Sequence, residues 1–340
     1  MPTLFNQNFS VDELQRMTGS MDQLAGIRLC EYSSGRMHGM RAADVWTGSG
    51  LRFTVLLDRG MDIGPAEYAG KPLAWLHPAM ATPTFYEPAG GGFGRTFGGG
   101  LLVTCGLNHF GPSETVDGEF FPQHGRASHI PADEVNTHCG WDGDTYRLDV
   151  EGKVRQAILY GENLLLTRRI STSLGATSLH IEDRVANQGY RTASLMMLYH
   201  CNFGFPLISP DSELVVDEES VSPRDESARA GLGKQNQFGA PEADFQQQVF
   251  FHRPRPAADG YATATLHNRA IPFSAFVRYR TAELPVLTQW KNTGAGDYLC
   301  GLEPATNPEA PRAKLRERGE MKMLEPGEVI SFSLEIGTTG

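Results

Sequence analysis

Three side chains of the sequence could together move protons on and off a small molecule: His200, Glu303 and His124. Ser194-Leu-Met-Met-Leu-Tyr-His-Cys-Asn-Phe-Gly204 reads as one buried β-strand. Leu195, Met197, Tyr199 and Cys201 fall on one face, Met196, Leu198, His200 and Asn202 on the other. Such a strand sets an imidazole and an amide side by side at its polar end, where they could build a site. A core histidine bonded to backbone fits the same pattern. Glu303 ends an apolar run and precedes Pro304. A carboxylate half desolvated at a strand end is pushed up in pKa and can act as a general base; a surface carboxylate is the alternative. His124 lies in Phe121-Pro-Gln-His-Gly-Arg-Ala-Ser-His129. A metal site there is disfavoured, because Arg126 would stand among the ligands and the spacing from His124 to His129 fits neither a helix nor a strand pair.

Other groups suit binding better than catalysis. Arg59, Asp62 and Arg95 could grip hydroxyls, and structural ion pairs explain each of them as well. Trp290 and Phe203 could offer a flat face to a sugar ring, with core packing as the other role. The cluster Gly90-Gly-Gly-Phe-Gly-Arg-Thr-Phe-Gly-Gly-Gly100 lacks the strand and helix of a dinucleotide loop and the Gly-Lys-Ser/Thr ending of a phosphate loop. Its glycines are expected to permit close backbone approach. No Gly-x-Ser-x-Gly elbow occurs and no cysteine has an activating context, which leaves acid–base chemistry by two histidines and a carboxylate.

These groups need a frame to bring them together. The 340 residues are 40% hydrophobic, enough for a large core. A net charge of −10 argues against nucleic-acid and anionic-membrane partners. The five cysteines are scattered without a Cys-x-x-Cys pair, which suggests free thiols in the cytoplasm. No signal peptide and no membrane span of about 20 apolar residues is read from the sequence.

Ser10-Val-Asp-Glu13 predicts a capping box opening one short helix over residues 10–18, in an arm formed by residues 1–20. Residues 21–340 are expected to form a single domain of strands. Strands are predicted at 26–32, 40–46, 51–57, 145–150, 154–159, 164–173, 178–185, 194–203, 247–252, 261–266, 273–279, 286–291 and 329–336, separated by turn residues. In 178–185, Leu179, Ile181 and Val185 alternate with His180, Glu182 and Arg184, as in a half-buried antiparallel strand. The fold class is therefore all-β, a large antiparallel β-sandwich with a short N-terminal helix.

Four stretches carry a family resemblance: Phe93-Gly-Arg-Thr-Phe-Gly-Gly-Gly-Leu-Leu-Val-Thr-Cys-Gly-Leu107, Gln123-His-Gly-Arg126, Leu198-Tyr-His-Cys-Asn-Phe-Gly204 and Gly301-Leu-Glu-Pro304. In this order the chain resembles the aldose 1-epimerase (galactose mutarotase-like) superfamily, and within it a branch of bacterial aldose 1-epimerase-like proteins. The resemblance implies a galactose mutarotase-like supersandwich that interconverts sugar anomers. It implies Glu303 as base, His200 as proton donor to the ring oxygen, and His124 and Arg95 as groups that hold the sugar. Asp244 would be the aspartate on the hydroxyls, and Arg126, Asn202, Arg59 and Trp290 join the binding candidates. No metal or organic cofactor is required. The implied partner is a small-molecule carbohydrate, with a homodimer left open. The family's arginine-containing run is glycine-rich here, and its Tyr-Phe-Asn is Cys-Asn-Phe.

Two other functions remain open at this point. One is an epimerase or isomerase acting at another carbon of a ketose, uronate or sugar phosphate, with Arg59, Arg95 and Arg126 as the cations a phosphate wants. The other is a non-catalytic carbohydrate-binding protein, which would not need both His200 and Glu303.

Overall fold

A computed structural model describes residues 1–82 and 92–339. Antiparallel sheets dominate it, as expected. An eight-stranded sheet runs in the order Asp133–Asp142, Thr145–Ala157, Asn163–Ser173, Ser178–Asn187, Val329–Thr339, Phe273–Arg280, Tyr261–Asn268, Ser212–Val216. A six-stranded sheet runs Glu218–Pro223, Gln248–Pro254, Val286–Thr293, Tyr298–Ala305, Leu198–Phe203, Val103–Cys105. A five-stranded sheet is built from residues 26–72. No helix among the described residues is long and apolar enough to cross a membrane. All five cysteines are free thiols.

The N-terminal helix forms at Val11–Met17. Glu13 N donates to Ser10 Oγ at 3.2 Å and Ser10 N donates to Glu13 Oε2 at 2.8 Å, which completes the capping box. Leu14 and Leu4 bury themselves in the main core. Ser10→Ala removes one cap and should lower stability by about 1 kcal/mol, read as a shift in the urea midpoint at constant slope. An unchanged midpoint would mean that the helix contributes nothing to folding. The helix is not alone: Gly92–Thr96, Glu226–Ala230 and Arg312–Glu317 also form. Five or six residues are too few to show a 3.6-residue hydrophobic period, so the sequence pattern does not reveal them.

Several strand boundaries differ from expectation. Residues 145–159 form one strand, Thr145–Ala157, and Glu151-Gly-Lys153 is not a turn. A Cβ at Gly152 would lie 2.6 Å from Met61 Sδ, so this glycine admits a close neighbour. Conversely, the stretch 194–204 is two strands, Ala193–Leu195 and Leu198–Phe203, which pair with different partners. The predicted division of faces survives the break. Leu195, Met197, Tyr199 and Cys201 join the main core, whereas Met196 and Leu198 pack in a smaller cluster with Phe97, Val103 and Cys105. Asp133–Asp142, an edge strand with mostly exposed side chains, carries no apolar alternation to betray it.

Behind the Leu198–Phe203 strand lies a buried polar network. Arg168 and Asp183 make a two-pronged ion pair at 2.9 and 2.6 Å, both fully buried. Tyr199 Oη donates to Asp183 Oδ2 at 2.7 Å, and Arg168 Nη1 donates to Thr104 Oγ1 at 2.7 Å. Tyr199 and Thr104 are register partners on adjacent strands. The network thus fastens the back of the strand whose front carries His200.

Candidate active site

The six-stranded sheet brings His200 and Glu303 together. Leu198 pairs with Ala305 and Cys201 with Leu302, which sets His200 opposite Glu303 on the neighbouring strand. His200 Nε2 lies 3.2 Å from Glu303 Oε1. Residues that sit opposite one another in an antiparallel pair point to the same face, so two polar head groups a hundred residues apart meet without any loop between them. Thr288 extends the row beyond Glu303 and Val103 beyond His200. Both head groups are almost wholly buried, at 4% and 3% exposure. Gly301 lies beneath them. A Cβ there would stand 2.6 Å from Glu303 Oε1, 3.1 Å from Trp290 Cβ and 3.5 Å from His200 Cε1.

His124 arrives from a turn. Its φ is 59° and that of Gly125 is 76°, two successive left-handed residues. Only glycine fits the second place, because a Cβ there would stand 2.3 Å from the carbonyl oxygens of Gly106 and His109. His124 N donates to Gly111 O at 2.9 Å, and its own carbonyl accepts from Gly106 N at 3.1 Å. So held, the imidazole lies 5.8 Å from the His200 ring at nearly a right angle.

Aromatic rings enclose the three groups. Phe93 is 4.7 Å from His124, and Phe97 and Trp290 are 5.2 and 5.4 Å from His200, centre to centre. Trp75 packs on both Phe97 and Trp290. The glycines at 98, 99 and 100 allow this closeness: a Cβ on them would strike Met80, Trp75 O and Ile63 O at 2.4, 2.4 and 2.6 Å. Gly90 and Gly91 of the same cluster lie outside the described residues.

Burial sets the charge of the site. It holds His200 down to about 4, against an opposing pull from the Asn202 side chain. His124 is held well below the usual histidine range, first by burial and then by the positive charge of His200, His109 and Arg224. Glu303 is raised well above the usual carboxylate range, first by burial and next by the charge of Glu309, with Arg224 opposing. Burial thus disfavours charge on both members of the contact, the imidazolium of His200 and the carboxylate of Glu303. Glu303 Oε1, His124 Nδ1 and Thr288 Oγ1 are buried without a hydrogen-bond partner among the described residues. With His200 Nδ1, which is likewise unpartnered, these unsatisfied polar atoms walled by aromatic rings suit a ligand that has hydroxyls on its edges and C–H bonds on its faces.

Several expected binding residues lie elsewhere. Arg95 is exposed on the short helix Gly92–Thr96, while Phe93 of that helix and Phe97 just beyond it turn their rings to the histidines. Arg59 is 2% exposed and donates to Ala81 O and Ser128 Oγ; Asp62 accepts from Ser128 Oγ and Thr104 N, so both take structural roles, joined through the Ser128 hydroxyl. Arg126 donates to Phe120 O and lines a separate cleft of about 810 Å³, whose walls include neither His200 nor Glu303. Asn202 uses its amide N–H groups on Gly100 O and His200 O, positioning backbone. Phe203 is core. Asp244 sits in an exposed turn, and no hydrogen bond or ion pair among the described residues joins its carboxylate to the cluster. His129 turns to Thr96 Oγ1 at 3.0 Å, away from His124. No group of three or more His, Cys, Asp or Glu among the described residues is arranged to hold a metal ion.

Trp75, Thr288, Arg224 and Glu309 lie in or near the site without a local motif to mark them. Only strand register reveals Thr288 and Trp290 as neighbours of Glu303 and Gly301.

The layered antiparallel sheets define a galactose mutarotase-like fold, that of the aldose 1-epimerase superfamily. The chain belongs to the family described as a domain of unknown function, DUF4432, whose model matches residues 37–338. Among solved structures it is similar to a provisionally assigned aldose 1-epimerase of Klebsiella pneumoniae, with 26% identity, a TM-score of 0.87, and coverage of 94% of this chain and 86% of that one. A galactose mutarotase-like protein of Clostridium acetobutylicum (14% identity, TM-score 0.64, 94% and 99% covered) shares the fold. So does a galactose 1-epimerase of Lactobacillus acidophilus (14%, 0.60, 93% and 99%). No curated protein matches the chain.

Proposed function

We propose that the chain is a cytoplasmic carbohydrate isomerase that interconverts the anomers of a sugar by acid–base ring opening. The contact of His200 with Glu303 at 3.2 Å carries this reading. In a cyclic sugar, the hydroxyl to be deprotonated and the ring oxygen to be protonated are bonded to the same carbon. An acid and a base side by side match those two oxygens. Epimerisation at another carbon asks instead for proton removal on one face and return on the opposite face.

The proton balance closes with the one proton the pair holds. Sugar hydroxyls donating to Glu303 favour its carboxylate, and the proton crosses to His200. Glu303 then takes the anomeric hydroxyl proton as His200 protonates the ring oxygen. The carbon–ring-oxygen bond breaks and a carbonyl forms. Rotation about the C1–C2 bond presents the other carbonyl face, and the reverse transfers close the ring. His124, uncharged, donates or accepts a hydrogen bond to the developing oxyanion or hydroxyl.

Polarimetry with freshly dissolved single anomers of aldoses, ketoses and sugar phosphates tests this. Acceleration with at least one sugar is expected, and none with any would contradict it. The pH profile adds a second check. As pH falls through about 4, His200 takes up a second proton and the pair loses its base, so kcat/KM should fall there. A limb near the ordinary histidine value of about 6.5 would mean that His200 is not buried in the working enzyme.

A further inference from the structure

Beside the acid–base pair stands an ion pair that the chemistry above leaves unused. Arg224 Nη1 lies 3.3 Å from Glu309 Oε2, and Arg224 Nε lies 3.1 Å from Asp225 Oδ2. Glu309 follows the strand of Glu303 and packs on Gly111, whose carbonyl accepts the His124 N–H. Arg224 follows the edge strand Glu218–Pro223, anchored by its N–H on Val249 O. The two charges act on Glu303, and that of Arg224 also on His124. The side chains of Arg224 and Glu309 are 30% and 13% exposed, against 6% and 4% for those of His200 and Glu303, so the ion pair meets solvent more than the acid–base pair does.

The charge count at this mouth is one-sided. Among the described residues, Arg59 and Arg126 are engaged elsewhere, as described above. One guanidinium therefore faces two carboxylates, Asp225 and Glu309. A third negative charge brought by a substrate would meet Glu309 in a poorly solvated place. A pair of adjacent hydroxyls meets no such penalty: one donates to the Glu309 carboxylate while the other accepts from Arg224.

We infer that Arg224 and Glu309 form a substrate clamp at the mouth of the site, gripping neighbouring hydroxyls of an uncharged sugar, with Glu309 as the group that turns away uronates and sugar phosphates. The inference takes the sugar site of the proposed function as its premise, but binding tests it without any turnover.

The experiment uses saturation-transfer NMR for binding and exchange NMR for turnover, on D-glucose, D-galactose, D-glucuronate and D-galacturonate, with the wild-type chain, Glu309→Gln, Glu309→Asp and Arg224→Met. Wild type should favour the uncharged sugars at least tenfold. Glu309→Gln should shrink that preference at least tenfold, Glu309→Asp should retain it, and Arg224→Met should weaken uncharged sugars at least fivefold. Preference for the acidic sugars in wild type, an unmoved ratio in Glu309→Gln, or no binding of any sugar would overturn the clamp. Selective binding that shifts as stated but without anomer exchange would uphold the clamp and sink the isomerase reading. Exchange with an unmoved ratio would sink the clamp alone.

Discussion

Glu303→Gln should lower the rate of anomer exchange by roughly 10³-fold while sugar binding and folding persist. The amide keeps the shape of the carboxyl but cannot accept the anomeric proton. Burial raises the Glu303 carboxyl toward its uncharged form, which the neutral amide resembles, so the substitution places no new charge in the site. The melting temperature should therefore stay within a few degrees, and saturation-transfer signals from the sugar should remain. His200→Asn should follow the same pattern through loss of the other proton carrier. Exchange by Glu303→Gln at near the wild-type rate would remove the carboxylate from the mechanism, whatever the fate of the fold.

Gly301→Ala tests whether the position of that carboxylate matters as well as its identity. The added methyl would lie 2.6 Å from Glu303 Oε1 and 3.1 Å from Trp290 Cβ. The backbone is an ordinary strand, paired with Asn202 on one side and Trp290 on the other, so the conformation suits alanine. The carboxyl can swing aside at modest cost, and the fold should survive. The acid–base contact should not. A displacement of about 1 Å at reacting atoms costs on the order of 10² in rate, so kcat should fall by about that factor with the unfolding midpoint little changed. Unaltered kcat would show that the close approach of His200 and Glu303 is incidental to turnover.

How far the site was legible in the sequence follows from how each residue is held. His200 and Asn202 alternate with an apolar set along one strand, and period 2 survives the break at Met196 and Met197, so the face they share was readable. Glu303 was readable from the apolar run it ends before Pro304, and His124 from the loop of imidazole and guanidinium groups around it and the motif Gln123-His-Gly-Arg126. Arg224 and Glu309 were not: each sits just beyond the end of a strand, and their meeting depends on the order of strands in the sheet. Phe93 and Phe97 were not read either: Arg95 lies between them, and only the direction of their rings shows that they face the histidines. Asp183 was hidden among the apolar residues of its strand, and its burial makes sense only once Arg168 is seen across the ladder.

The central claim is that the protein breaks and remakes the bond between the anomeric carbon and the ring oxygen, and leaves every carbon-bound hydrogen in place. Proton exchange NMR in deuterium oxide tests this in one sample. With an accepted sugar, the account predicts magnetisation transfer between the α and β anomeric protons that depends on enzyme concentration, with no loss of any C–H signal to deuterium. Deuterium entering at a carbon would place the chemistry elsewhere on the sugar, and an α–β exchange rate equal to that of the sugar alone across the panel would contradict the account outright.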